Sequence, residues 1–226
     1  RVWAWGAFSL DDYKFKKCID IESFFKWIET LEGDTLYFHN LKFDGEFMLC
    51  YMLSNGYKHC TDRILTEDKT FKTLISDTGQ VYTFEILFNK KKRKKVRIYD
   101  SLKLLPMTVE RVAKSFNLDC QKLEIDYKEK REKGHELTEQ ESKYIENDCL
   151  IVAKALNQFF EQGLTKMTIG SNALADYKGI VGKGRFEANF PECLYDSFIR
   201  KSYRGGFTYL KPEYADKDIG EGIVLD

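Results

Sequence analysis

Two acidic positions are set apart by what surrounds them. Asp44 closes the segment Tyr37-Phe38-His39-Asn40-Leu41-Lys42-Phe43-Asp44, just beyond a short apolar run that reads as a buried strand. An acid there sits at a sheet edge, where ligand sites often form. The plainer alternative is that Asn40 or Asp44 caps the following helix. Asp148 closes Tyr144-Ile145-Glu146-Asn147-Asp148 within a long helical stretch. Tyr144 and Asp148 are four apart and share one helix face. Asp is a poor helix-interior residue, and this one leads into the apolar run Cys149-Leu150-Ile151-Val152-Ala153. A carboxylate entering a buried face needs a partner: a metal ion is one, an ion pair on an exposed face the other.

The elements that must position these acids follow from periodicity. Residues 2–10 read as a strand. Ile21, Phe24, Phe25, Ile28 and Leu31 have helical spacing, and Gly33-Asp34 ends that helix. Residues 35–39 form the buried strand, 40–44 the turn out of it, and 46–53 a helix closed by Asn55-Gly56. Three strands are predicted over 70–75, 81–88 and 96–100, with Gly79 in one turn. A short helix covers 109–116, and the charged stretch 126–136 reads as exposed. Thr138-Glu139-Gln140-Glu141 is a capping box opening a helix to about Phe160, ended by Gly163. From about Ile169 the periodicity weakens. Strands interleaved with helices, including a three-stranded meander, predict a mixed α/β sheet.

Composition narrows the class. The chain of 226 residues is 43% hydrophobic and 15% aromatic, with formal net charge +0, so no global field favours nucleic acid. No apolar run approaches the roughly 20 residues of a membrane span. Seven of the eight residues 90–97 are basic, in the loop of a hairpin; such runs are usually solvated faces. The six cysteines lack any Cys-x-x-Cys and read as reduced thiols of a cytosolic protein. The chain opens on Arg1-Val2-Trp3-Ala4-Trp5, as if inside a strand, which suggests residues upstream.

The order Asn-x-x-Phe-Asp after a strand, then Tyr-x-x-x-Asp on a helix, resembles the second and third exonuclease motifs of proofreading DNA polymerases. Phosphodiester hydrolysis with two Mg²⁺ or Mn²⁺ ions needs several carboxylates around the metals. A Tyr one turn from a metal-binding Asp can orient the attacking water. The resemblance extends through Ile98-Tyr99-Asp100-Ser101-Leu102-Lys103-Leu104-Leu105-Pro106, Tyr203-Arg204-Gly205-Gly206-Phe207-Thr208, and Ile219-Gly220-Glu221-Gly222 on to Asp226. In that order these segments resemble the protein-primed family B DNA polymerases of small linear-genome bacteriophages and related elements, over essentially the whole chain.

The resemblance implies roles. Asp44 and Asp148 match exonuclease metal ligands, Tyr144 the water-orienting Tyr, and Lys122, in Lys122-Leu123-Glu124-Ile125-Asp126-Tyr127, a lysine that assists catalysis. His39, Asn40, Phe43, Ser101 and Leu102 match residues that hold the frayed primer end; Phe43 offers a stacking face. Tyr203, Arg204, Gly205 and Gly206 resemble the motif that contacts DNA between the two activities. Asp226 matches the first polymerase metal ligand. The implied fold is a ribonuclease H-like 3′→5′ exonuclease domain over 1–168, followed by the beginning of a polymerase palm over 169–226. The implied partners are single-stranded and primer-template DNA, deoxynucleotides and a terminal-protein primer, in the cytoplasm of a bacterial host and away from membranes.

Two departures limit what this stretch can do. The family's first exonuclease motif, an Asp-x-Glu on a strand preceding Arg1, is absent, and Asp20-Ile21-Glu22 comes after the first strand. The second palm Asp is absent too. The stretch by itself is therefore expected to be inactive. A truncated, non-catalytic single-stranded DNA-binding module and a stand-alone exonuclease are the competing readings.

Overall fold

The computed structural model describes residues 2–76, 79–92, 94–126, 129–132, 134–202, 211–215, 217–218 and 220. The chain divides into two compact units, Arg1–Ala175 and Asp176–Asp226.

The first unit opens with a two-stranded antiparallel pair, β1 (Trp5–Phe8) and β2 (Phe15–Cys18). Helix α1 (Ile21–Ile28) follows, its start fixed by the Asp20 side chain accepting from the Ser23 N–H at 2.6 Å. Its apolar stripe buries Phe24, Phe25 and Ile28. The main sheet has five strands in the order β3-β7-β6-β5-β4: β3 (Thr35–Phe38), β4 (Lys58–His59), β5 (Thr70–Ile75), β6 (Val81–Asn89) and β7 (Lys94–Asp100). Strands β5, β6 and β7 form the expected antiparallel meander, while β3 lies parallel to β7 and β4 parallel to β5. The sheet is mixed, as the sequence predicts. Alternate residues of β3 face opposite ways. Leu36 and Phe38 join one apolar cluster with Phe24, Met48, Phe84 and Ile98, and Tyr37 joins a second with Leu105, Val112, Ile151 and Leu156. The sheet therefore carries a core on each face.

Helix α2 begins earlier than its sequence suggests, running Leu41–Ser54. Asn40 adopts a left-handed backbone, φ 73°, which turns the chain within a single residue and leaves no room for a longer turn. Phe43 and Asp44 thus stand in the first helical turn. The helix lies close to the sheet because position 45 is glycine: a Cβ there would meet Phe84 at 2.8 Å.

Beyond β7 come a 3₁₀ turn (Ser101–Lys103), α3 (Val109–Ser115) and α4 (Glu139–Glu161). The capping box at Thr138 and Glu141 forms as predicted. Most described residues of 126–136 are exposed, as expected, but Arg131 and His135 are not. The Arg131 side chain is only 6% exposed, because it reaches the equally buried Glu141 at 2.5 Å. The basic run does occupy the β6–β7 hairpin; Lys90, Lys91 and Lys92 are exposed, while Lys95 is drawn to Glu85 at 2.5 Å.

The second unit begins within α5 (Ile169–Val181) and carries α6 (Lys183–Asn189) and α7 (Asp196–Ser202). Among the described residues, no helix is long and apolar enough to cross a membrane.

Candidate active site

Parallel strands deliver their carboxyl ends to the same sheet edge. Phe38 is in register with Asp100, so the residues that follow β3 and those that follow β7 emerge side by side. Asp100 is the hinge of this edge. It is 2% exposed, and its Oδ1 accepts the N–H of Asn40 and the N–H of Leu102, each at 3.0 Å. One carboxylate oxygen thereby satisfies the left-handed turn at Asn40 and the start of the 3₁₀ turn. Beside it, the fully buried Ser101 donates its hydroxyl to the Phe38 carbonyl at 2.9 Å and meets His39 Nδ1 at 3.0 Å. His39 Nε2 lies 2.7 Å from the Met107 carbonyl. Of the expected primer-end residues, Ser101 and His39 are thus committed to internal bonds. Phe43 is 66% exposed with its ring edge-on to Phe47, Asn40 is exposed, and Leu102 is half-buried.

The plain alternatives are met in part: Asn40 holds the N-cap position of α2, and Asp148 has an ion pair with Lys122, although it is half-buried. The Asn40 side chain makes no cap bond, and Asp44 lies inside the first turn. Burial pushes the Asp44 carboxyl up to about 6; its own backbone N–H opposes this and the Asp100 carboxylate adds to it. Asp148 is half-buried on α4. Burial raises its carboxyl, against the Lys122 ammonium, a Tyr144 hydrogen bond and the charge of His39. Lys122 Nζ is 3.8 Å from Asp148 Oδ2 and 6.0 Å from the centre of the Tyr144 ring. The other oxygen, Asp148 Oδ1, is buried with no hydrogen-bond partner. Burial pushes the Cys149 thiol up to about 12, and the carboxylates of Asp148, Glu146 and Asp44 add to that effect, so Asp44 and Asp148 act on one neighbourhood from two helices.

A buried carboxylate oxygen without a donor costs several kcal/mol unless something positive meets it. The pair Asp44 and Asp148, both made reluctant to ionise, fits the edge of a divalent-cation site. Among the described residues no group of three or more His, Cys, Asp or Glu that could hold a metal ion is present.

The burial of Asp44 has a measurable consequence. A carboxyl whose folded-state pKa is raised opposes folding at neutral pH, and the penalty fades as pH falls through about 6 towards its unfolded value. Asp44→Asn, melted in chelator, is therefore expected to be more stable than the parent by about 1–2 kcal/mol at pH 7.5, after allowing for solvent screening. The advantage should close near pH 4; an unchanged or inverted gap would mean the carboxyl is not strained.

Asp100 is the residue that sequence reasoning missed as a participant. Its only trace in the sequence was its place in the Ile98–Pro106 segment that carries the resemblance. Tyr203, Arg204, Gly205, Gly206 and Asp226 lie outside the described residues.

A mixed five-stranded sheet with helices packed on it, Asp44 on α2 and Asp148 on α4, is consistent with an exonuclease-like α/β domain. The chain belongs to the family of type B DNA polymerases, organellar and viral, which it matches over residues 30–133 and 124–226. It is similar to the DNA polymerase of Bacillus phage M2, at 43% identity over all of this chain and 40% of that protein. Among solved structures it resembles Phi29 DNA polymerase complexed with primer-template DNA, with TM-score 0.82 and 41% identity over 97% of this chain and 39% of that one. It also resembles Phi29 DNA polymerase complexed with single-stranded DNA, with TM-score 0.82 and 39% identity over 94% of this chain and 38% of that one. The chain spans about two-fifths of the length of the curated relatives it matches.

Proposed function

We propose that the chain is part of a DNA-directed DNA polymerase that starts synthesis from a terminal-protein hydroxyl and proofreads by 3′→5′ exonucleolysis. Its exonuclease domain covers 1–168 and its palm begins at 169. The observation that carries the nuclease reading is the buried Asp148 Oδ1 without a hydrogen-bond partner, with the Asp44 carboxyl raised by burial. Asp44 and Asp148 would hold Mg²⁺ or Mn²⁺, which when bound supplies an activated water and stabilises the leaving oxygen. Tyr144 would orient that water from one turn away on α4. Lys122 lies close enough to the same carboxylate to hold its charge and to meet a scissile phosphate. Phe43 would stack on a terminal base, with Asn40 and Leu102 beside it and His39 and Ser101 bracing the edge.

The partners follow from the relatives: Phi29 DNA polymerase is described in complex with single-stranded and with primer-template DNA. Deoxynucleotides would bind through Asp226, and Tyr203 to Gly206 would contact DNA between the two activities. The setting is the host cytoplasm. With only two of the exonuclease carboxylates present, the stretch alone would degrade DNA poorly.

Binding of a labelled single-stranded oligonucleotide, followed by fluorescence anisotropy, tests the primer-end assignment. Phe43→Ala is expected to weaken binding about five- to a hundredfold, the loss of one base stack. Affinity should also fall with salt, shallowly, because few phosphates are contacted. Equal affinity in the parent and Phe43→Ala would remove the stacking role.

A further inference from the structure

The segment between α3 and α4 is laid back along α4. Asp119 meets Lys154 at 2.5 Å, the Gln121 carbonyl accepts from Asn147, and Lys122 lies 3.8 Å from Asp148. The exposed end of this segment is held weakly, since Asp119 is 80% exposed and such pairs contribute little. The buried end is different. Glu141 Oε1 accepts from Arg131 Nε at 2.5 Å, and Oε2 is 2.7 Å from His135 Nε2 and accepts the Thr138 N–H at 3.0 Å. Arg131 also donates from Nη1 to the carbonyls of Asp126 and Glu129, each at 3.1 Å. Its guanidinium lies 4.4 Å from the Trp3 ring centre. Two side chains only 5–6% exposed therefore join the loop backbone, the start of α4 and the segment entering β1.

Glu141, Tyr144 and Asp148 fall at i, i+3 and i+7 on one stripe of α4. The staple thus fixes the helix one turn ahead of Tyr144 and two ahead of Asp148, and it grips the loop at Asp126, four residues past Lys122. We infer that Glu141, through Arg131, is a positioning residue for the exonuclease site, setting Lys122 against Asp148 and Tyr144 without touching substrate. Burial opposes the charge on Glu141, but hydrogen bonds from His135, Thr138 and Arg131 hold its carboxyl down at about 2, so the staple stays charged at neutral pH. The inference rests on the exonuclease reading.

The test uses the full-length protein carrying Glu141→Gln, an isosteric change that removes the charge. Hydrogen exchange should quicken by about tenfold or more over residues 121–138 and leave β6, β7 and the second half of α4 unchanged. Degradation of single-stranded DNA should lose about ten- to a hundredfold in kcat, with KM nearly constant, as a misplacement of about 1 Å can do. Because Glu141 acts through the loop that carries Lys122, the loss should largely vanish when Glu141→Gln is added to Lys122→Ala. Exchange quickened evenly across the first unit, or full additivity with Lys122→Ala, would overturn the inference. If an Asp148→Ala control degrades DNA like the parent, the exonuclease reading itself has failed. The exchange pattern then still decides whether Glu141 holds the loop.

Discussion

Asp148→Ala, made in the full-length protein, is expected to lower 3′→5′ degradation of single-stranded DNA by about a thousandfold while template-directed synthesis survives. A lost metal ligand removes several kcal/mol of transition-state stabilisation, and about 1.4 kcal/mol is tenfold in rate. The residue's surroundings argue for a loss of this size. Lys122 pairs with Oδ2 at 3.8 Å and Tyr144 hydrogen-bonds the carboxyl, yet Oδ1 is buried without a hydrogen-bond partner, which these internal bonds leave unmet. Asp44→Ala should behave alike, and Tyr144→Phe should lose less, since it deletes one hydrogen bond and leaves both carboxylates. Were the two acids merely structural, each Ala would instead cost about 1 kcal/mol of stability and depress both activities together. Parallel degradation and primer-extension assays, with melting temperatures as control, separate the two cases. Equal loss of both activities in Asp44→Ala and Asp148→Ala would sink the assignment.

Asp226→Ala should invert that pattern, abolishing synthesis by about a thousandfold or more while degradation persists. The expectation comes from the resemblance of Gly222-Ile223-Val224-Leu225-Asp226 to a strand ending in the first polymerase ligand. Primer extension at saturating deoxynucleotide, set beside exonuclease rates on the same preparations, is the measurement. An Asp226→Ala protein that still extends primers like its parent would place the polymerase site elsewhere.

The sequence made some of this legible because local chemistry wrote it. The capping box at Thr138 needs only residues within one turn, and the strands of the β5–β7 meander are marked by their apolar runs and the Gly79 turn. The assignment of Asp44 and Asp148 to one site comes only from the resemblance, since no local pattern links residues about a hundred positions apart. The strands β2 and β4, of four and two residues, are too short to carry a period. The early start of α2 hid because Asn40 reads as a turn residue, and a single left-handed residue can do the work of a loop. The stretch 126–136 reads as solvent-exposed by its charge, yet Arg131 is buried because its partner lies ten residues on. Asp100 looked like the end of a strand; its role depends on an N–H sixty residues earlier, which no local pattern reports.

The parallel pairing of β3 with β7 bears on when this domain becomes competent. The hairpins of the meander and the helix opened by Thr138 are local, and chains form such pieces in microseconds. The β3–β7 ladder joins segments about sixty residues apart, and Asp44 and Asp148 are separated by about a hundred, so closing them carries the chain-entropy cost that slows folding. A nascent chain that has emerged only as far as β7 has its sheet but not α4. Such an intermediate would hold Asp44 without Asp148. On the exonuclease reading, cutting ability would then arrive late and as one cooperative step, after the scaffold is set, so partly folded molecules would be poor at degrading the DNA around them.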